Sequence, residues 1–176
     1  GAQGRFQVVI MQGASFEPLT PEGRQVFFDT TKSYADKVRR VGADPMLFMT
    51  HAYVPPHSQV DENMINIVHD TYVEAGQAIN AKVIPVGLAY ARSYRLRPKF
   101  SLHMDFDGTH PNLRGTYLGA CVVYLSLYED DLKGLKYNYF QRLPKDEALY
   151  LQDVARETVN EFRKQPSSLS QSLNLN

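Results

Sequence analysis

The sequence contains one cysteine, Cys121, so no intramolecular disulfide framework holds the fold. That residue lies in the apolar run Ala120 to Val123 with no basic neighbour to stabilise a thiolate, and it reads as a buried, inert thiol. An excess of either charge is also missing. The 19 Lys and Arg residues balance the 19 Asp and Glu residues, which excludes a global field for nucleic acid or an anionic membrane. A small neutral substrate or a local patch fits that balance better. No apolar stretch approaches the length of a membrane span, and no basic-then-apolar leader is visible. Tryptophan is absent, and the 11 tyrosines establish no preference for a sugar.

What is present is the material of one soluble domain. A chain of 176 residues with 43% hydrophobic and 22% charged residues can bury a real core, and its composition points to neither disorder nor a coiled coil. Short apolar runs alternate with longer amphipathic segments, the pattern of βαβ units around a parallel sheet. Phe6 to Met11 (FQVVIM) reads as a first strand, followed by the loop Gln12-Gly13-Ala14-Ser15. Thr20-Pro21-Glu22 then supplies an N-cap, a proline for the first helical position and an acid for the first turn. Phe27, Tyr34, Val38 and Val41 recur at helical spacing, and Lys37, Arg39 and Arg40 load the last turn before Gly42.

Pro45 to Thr50 predicts a second strand, and His51 to Ser58, with Pro55-Pro56, a loop. A second helix is expected from Asp61 to Ala81, a third strand from Lys82 to Val86, and a short helix from Leu88 to Arg97. Beyond Pro111, Leu113 to Leu132 reads as a buried helix and Lys145 to Phe162 as an amphipathic one. Residues 1–164 form one α/β domain, and the polar, serine-rich residues 165–176 read as a disordered tail. Internal repeats are absent. Three strands are few, because a doubly wound sheet usually carries about five.

The chemistry concentrates in Asp107-Gly108-Thr109-His110, on a loop between a short extended run and a helix. At this spacing the carboxylate folds back onto one imidazole nitrogen and fixes its tautomer, while the other nitrogen points outward as a base. Gly108 permits the tight turn, and Pro111 ends the loop and opens the helix. Two other readings of the same residues stand beside this one. Asp107 caps the turn with His110 in a polar loop, or His103, Asp105, Asp107 and His110 share a face and ligate a metal. His51, His57 and His69 read as loop or helix-surface histidines.

The order of these blocks resembles the SGNH (GDSL-type) esterase and lipase superfamily. It runs from a strand ending in Gln12-Gly13-Ala14-Ser15, through a strand ending in Met49-Thr50-His51 and the strand Val83 to Val86, to Asp107-Gly108-Thr109-His110-Pro111. The segments DGTHPNLRGTYLGACVVY and VIPVGLAYA carry most of the likeness, which spans about Phe6 to Leu127. The resemblance implies a three-layer α/β/α, flavodoxin-like parallel sheet and an ester hydrolase acting on an acyl or acetyl ester, of a carbohydrate by analogy, without cofactor or metal. Asp107 and His110 correspond to the family's last two triad members. The family's serine sits in a Gly-Asp-Ser block after its first strand, a glycine of a second block helps form the oxyanion hole, and a Gly-x-Asn-Asp block supplies an asparagine donor.

Counting strands back from the Asp-x-x-His loop makes FQVVIM the third strand of that family. Gly13 then matches the glycine of the third block, and Ser15 stands where asparagine is expected, a shorter and less firmly oriented donor. In this register the nucleophile and the first two strands are not in the chain, which is a fragment or a homologue that has lost its serine. The competing register makes Gly13-Ala14-Ser15 a G-x-S nucleophile block in a shortened sheet. A non-catalytic binding domain that keeps the cleft is a further alternative, with Tyr53 and Tyr90 as sugar contacts or as packing. Without its first two strands the sheet would bare an apolar edge along Phe6 to Met11. A missing segment, a partner chain or a second copy is expected there.

Overall fold

Thr20 opens the first long helix as its neighbours demand. Its Oγ1 accepts the Gly23 N–H at 3.0 Å, Pro21 takes the first helical position, and α1 (Pro21–Arg40) runs on until Gly42 turns the chain at φ +80°. The computed structural model, which describes residues 6–128 and 131–165, sets this helix between the parallel strands β1 (Val8–Met11) and β2 (Asp44–Phe48). A second crossover through α2 (Met64–Ala78) leads to β3 (Lys82–Ile84), so the sheet has the order β1-β2-β3 with all strands parallel. Two right-handed crossovers stepping in one direction put α1 and α2 on the same face.

The register sorts the core into two layers. Met11 pairs with Leu47, and both pack towards α1 and α2, where Phe27, Met64, Val68 and Tyr72 close one layer. Ile10 pairs with Met46, which joins Ile84 in a second layer beneath α3 (Val86–Leu96), α4 (Leu113–Tyr128) and α5 (Lys145–Lys164). Cys121 of α4 is buried in that layer, and burial pushes its thiol up to about 12, as expected of an inert core cysteine. This is a three-layer α/β/α arrangement shortened to three strands. Among the described residues, no helix is long and apolar enough to cross a membrane.

The elements differ from the sequence reading at their ends. Asp61 Oδ1 accepts the Asn63 N–H at 2.8 Å in a turn, so α2 starts only at Met64, and Asn80, at φ 49°, closes the chain behind it. Pro85 stops β3 after Ile84, and the chain enters α3 directly. The helix predicted to reach Leu132 ends at Tyr128, and Leu132 reaches the second core layer from an irregular segment. The tail expected to be disordered lies, from residue 166 on, outside the described residues.

β1 is an apolar edge. Its outer side pairs with no strand among the described residues, and Val8 and Ile10 are 37% and 40% exposed. The fold therefore predicts an asymmetry between two aliphatic residues of one sheet. Leu47→Ala, in the fully buried centre of β2, should cost about 2–5 kcal/mol, whereas Ile10→Ala should cost about 1 kcal/mol or less. Urea unfolding of the two variants reads the difference, and equal losses would mean that the β1 edge is covered in solution.

Candidate active site

The Asp-x-x-His loop is closed at its base by an antiparallel bridge between His103 and Pro111, with the Met104 N–H donating to the His110 carbonyl at 2.8 Å. Asn112 fastens that base. Its Nδ2 donates to the carbonyls of Ser101 and His103, each at 3.0 Å, and its Oδ1 accepts the Gly115 N–H at 3.1 Å, capping α4. One side chain thus ties the Asp-x-x-His loop to the helix that follows. The tip docks on the β2–α2 loop through Gly108, whose carbonyl accepts the Val54 N–H at 2.9 Å. Gly108 has φ +66°, and a Cβ there would stand 1.9 Å from the Val54 carbonyl oxygen.

Within this frame Asp107 does two things. Its Oδ1 accepts the backbone N–H groups of Thr109 and His110 at 2.9 and 3.0 Å, and its Oδ2 meets His110 Nδ1 at 2.6 Å. The Thr109 N–H, followed by the bonds to His110, holds the Asp107 carboxyl down to about 2, so it stays ionised at neutral pH. An ionised carboxylate only accepts, which puts a proton on His110 Nδ1 and leaves Nε2 as the basic nitrogen. The His110 side chain is 73% exposed.

His110 and Ser15 line the same cavity, of about 520 Å³, with Phe48 and His51 from the end of β2, Tyr90 from α3 and Thr116 from α4. Ser15 also lies within hydrogen-bonding reach of the Tyr53 hydroxyl. Gly13 is not part of that cavity. It lines a neighbouring groove with Glu17 and Phe27, its N–H donates to the Tyr72 hydroxyl at 3.2 Å, and the Ala14 N–H donates to Glu17 Oε2 at 3.0 Å. Gly13 is glycine for packing, because a Cβ would stand 2.4 Å from Glu17 Oε2 and 2.7 Å from the Phe27 ring. The structure thus brings Asp107, His110 and Ser15 together and sets Gly13 apart.

The four residues considered as metal ligands do not converge, and no group of three or more His, Cys, Asp or Glu side chains fit to hold a metal occurs among the described residues. His103 turns inward, with Nδ1 2.7 Å from the Tyr94 hydroxyl and Nε2 3.0 Å from His51 Nδ1. His51 and His57 sit in a loop and His69 on a helix, as expected, and the His51 ring stacks on Tyr90 with centroids 4.4 Å apart. Burial lowers both His51 and His103 to about 4, with the facing His103 adding to the effect at His51 and the Asp107 charge opposing it at His103, so both are neutral at pH 7. Sequence reading missed this pair because 52 positions separate its members. It also missed Asn112, although an asparagine directly ahead of an apolar helix is a capping signal.

No model of a protein family matches the sequence, and no curated protein matches it either. Solved structures do share its fold. A DUF4886 family protein from Bacteroides uniformis ATCC 8492 superposes with a TM-score of 0.69 at 19% identity, over 90% of this chain and 64% of that one. A candidate SGNH hydrolase from Slackia heliotrinireducens superposes with a TM-score of 0.59 at 21% identity, over 68% of this chain and 65% of that one. The chain therefore has an SGNH-hydrolase-like fold and spans about two thirds of the length of each of these proteins.

Two outcomes follow from the geometry. Gly108→Ala should push the loop off Val54, costing about 1–3 kcal/mol in thermal or urea unfolding and breaking the Asp107–His110 contact, a loss that the imidazole NMR signals of the two proteins would report. The buried histidines make stability depend on pH in a defined window. Their folded pKa lies below the unfolded 6.5, so the unfolded chain binds more protons, and stability is full above about pH 6.5 and falls as pH drops towards 4. The loss by pH 4.5 should be on the order of 5 kcal/mol for the pair, about half from each ring. Urea midpoints between pH 7.5 and 4.5 test it, and a flat profile would place both rings in water.

Proposed function

We propose that this chain carries the acid–base half of an SGNH-type ester hydrolase. The observation that carries the reading is the Asp107–His110 contact of 2.6 Å on a loop pinned at both base and tip, with His110 at a cavity large enough for a small ester. His110 Nε2 takes the proton of a serine hydroxyl as that oxygen attacks the ester carbonyl, then returns it to the leaving alcohol; Asp107 holds the ring and stabilises its cation. An acyl or acetyl ester, of a carbohydrate by the family resemblance, is the substrate class.

In the favoured strand register the serine comes from outside the described residues, on a strand added to the free edge of β1 by further polypeptide, a partner chain or a second copy. The apolar Val8 and Ile10 at that edge support this arrangement. The shared cavity favours one competing reading, in which Ser15 is itself the nucleophile. A binding domain without turnover remains the non-catalytic reading.

Hydrolysis of p-nitrophenyl acetate, with a fluorophosphonate label read by mass, separates these. If Ser15 is the nucleophile, both Ser15→Ala and His110→Ala lose turnover by about 10³-fold or more and the label sits on Ser15. If Ser15 only supports the oxyanion, Ser15→Ala loses about 10-fold to 100-fold and the label appears elsewhere or not at all. No turnover and no label from the chain alone, with both restored when a serine-bearing strand is supplied, is the result expected for the favoured register.

A further inference from the structure

We infer that His51 is the side-chain electrophile of this cavity, a neutral imidazole whose Nε2–H donates to the acyl oxygen of the bound substrate. The inference rests on the ester-hydrolase reading above. The direction of the protons follows from counting donors and acceptors. The Leu102 N–H donates to the Tyr94 phenol oxygen at 3.0 Å, the His103 N–H and the Ser101 hydroxyl lie against the same oxygen, and the Ser101 proton is committed to the His103 carbonyl at 2.9 Å. The Tyr94 O–H is left to donate, and its acceptor at 2.7 Å is His103 Nδ1. A neutral His103 that accepts at Nδ1 carries its proton on Nε2, and the atom 3.0 Å beyond is His51 Nδ1. His51 Nδ1 accepts, so the proton of His51 is on Nε2. That nitrogen lies across the ring from the buried contact, where the Ala52 backbone also lies against the pair, and His51 lines the cavity with His110 and Ser15.

Three features suit this ring to donating rather than to acting as a second base. It is clamped, stacked at 12° on Tyr90 and met edge-on by His103 with centroids 4.6 Å apart. Burial and the facing His103 oppose its protonation, and a proton taken up by His110 opposes it further. The backbone donors Gly13 and Ala14 of the turn after β1 are engaged, with Tyr72 and with Glu17, which leaves side-chain donors such as His51 and Ser15 at the cavity. When a nucleophile attacks, the π pair of the ester carbonyl moves onto its oxygen, and the bond from Nε2–H strengthens as that oxygen becomes anionic. No proton leaves His51 in the step. Tyr94 and His103 are then positioning residues, which fix the tautomer without touching substrate.

The test reads tautomer and turnover separately. Long-range ¹H–¹⁵N spectra of the ¹⁵N-labelled chain at pH 7 should show His51 and His103 both protonated on Nε2, and Tyr94→Phe should release that preference in both rings. Acetate, standing for the acyl product, should shift the His51 Nε2–H signal. A His51 protonated on Nδ1, or a His51 signal that acetate leaves in place, overturns the inference whatever the turnover. In p-nitrophenyl acetate hydrolysis, His51→Phe should lower kcat about 100-fold to 1000-fold with little change in KM, and His51→Gln, which keeps an N–H donor, should recover part of it. Unchanged kcat in His51→Phe also overturns the inference. If the chain alone turns nothing over, as the favoured register expects, the kinetic arm is run with the serine-bearing strand supplied; failure there counts against the ester-hydrolase reading, while the tautomer and acetate response of His51 decide its own role.

Discussion

β2 is paired on both edges, and the chemistry of this molecule hangs from its C-terminal end. Met46, Leu47 and Phe48 each hydrogen-bond into ladders with β1 or β3, so the backbone beyond Phe48 leaves the sheet from a fixed point. Thr50 and His51 follow directly, and the loop that carries Val54 follows them. Val54 receives Gly108, and Gly108 sets where Asp107 and His110 stand. A displacement of β2 would therefore move the buried histidine pair and the exposed Asp–His pair together, although they lie in distant parts of the sequence. This is the general logic of open α/β sheets, in which rigid strands end where function begins.

The site contains imidazoles in two contrasting states, and environment alone separates them. His110 stands largely in solvent against an ionised carboxylate. His51 and His103 are enclosed by Tyr90, Tyr94 and each other, with no carboxylate in contact, a setting that keeps both uncharged. One residue type thus occupies an open, carboxylate-bound position and an enclosed, uncharged one. Burial and charge together can set groups of one kind apart in this way.

Much of this was legible in the amino-acid sequence, for reasons of range. Local chemistry could be read where the partners are neighbours: Thr20 with Gly23, and Asp107 with Thr109 and His110, lie within one turn of chain. The strand order was legible because short crossovers of one hand leave few ways to arrange three parallel strands. What could not be read depends on tertiary contact. Nothing near His51 in sequence marks it as the partner of His103, and nothing near Gly13 shows that its amide meets Tyr72, 59 residues away. Asn112 fell between these cases, since its cap to Gly115 is local while its grip on Ser101 and His103 crosses the loop.

Cys121 gives the molecule a practical property. The only native thiol is sealed in the core beneath α4 and held in its unreactive protonated form, so maleimides and spin labels have nothing to attack on the folded chain. A cysteine introduced at an exposed position, such as Phe16 after the Ser15 turn or Phe106 beside Asp107, would be the single reactive handle without any background substitution. Paired handles at those two places would report the span between the β1 loop and the Asp-x-x-His loop directly, by distance spectroscopy on the native core.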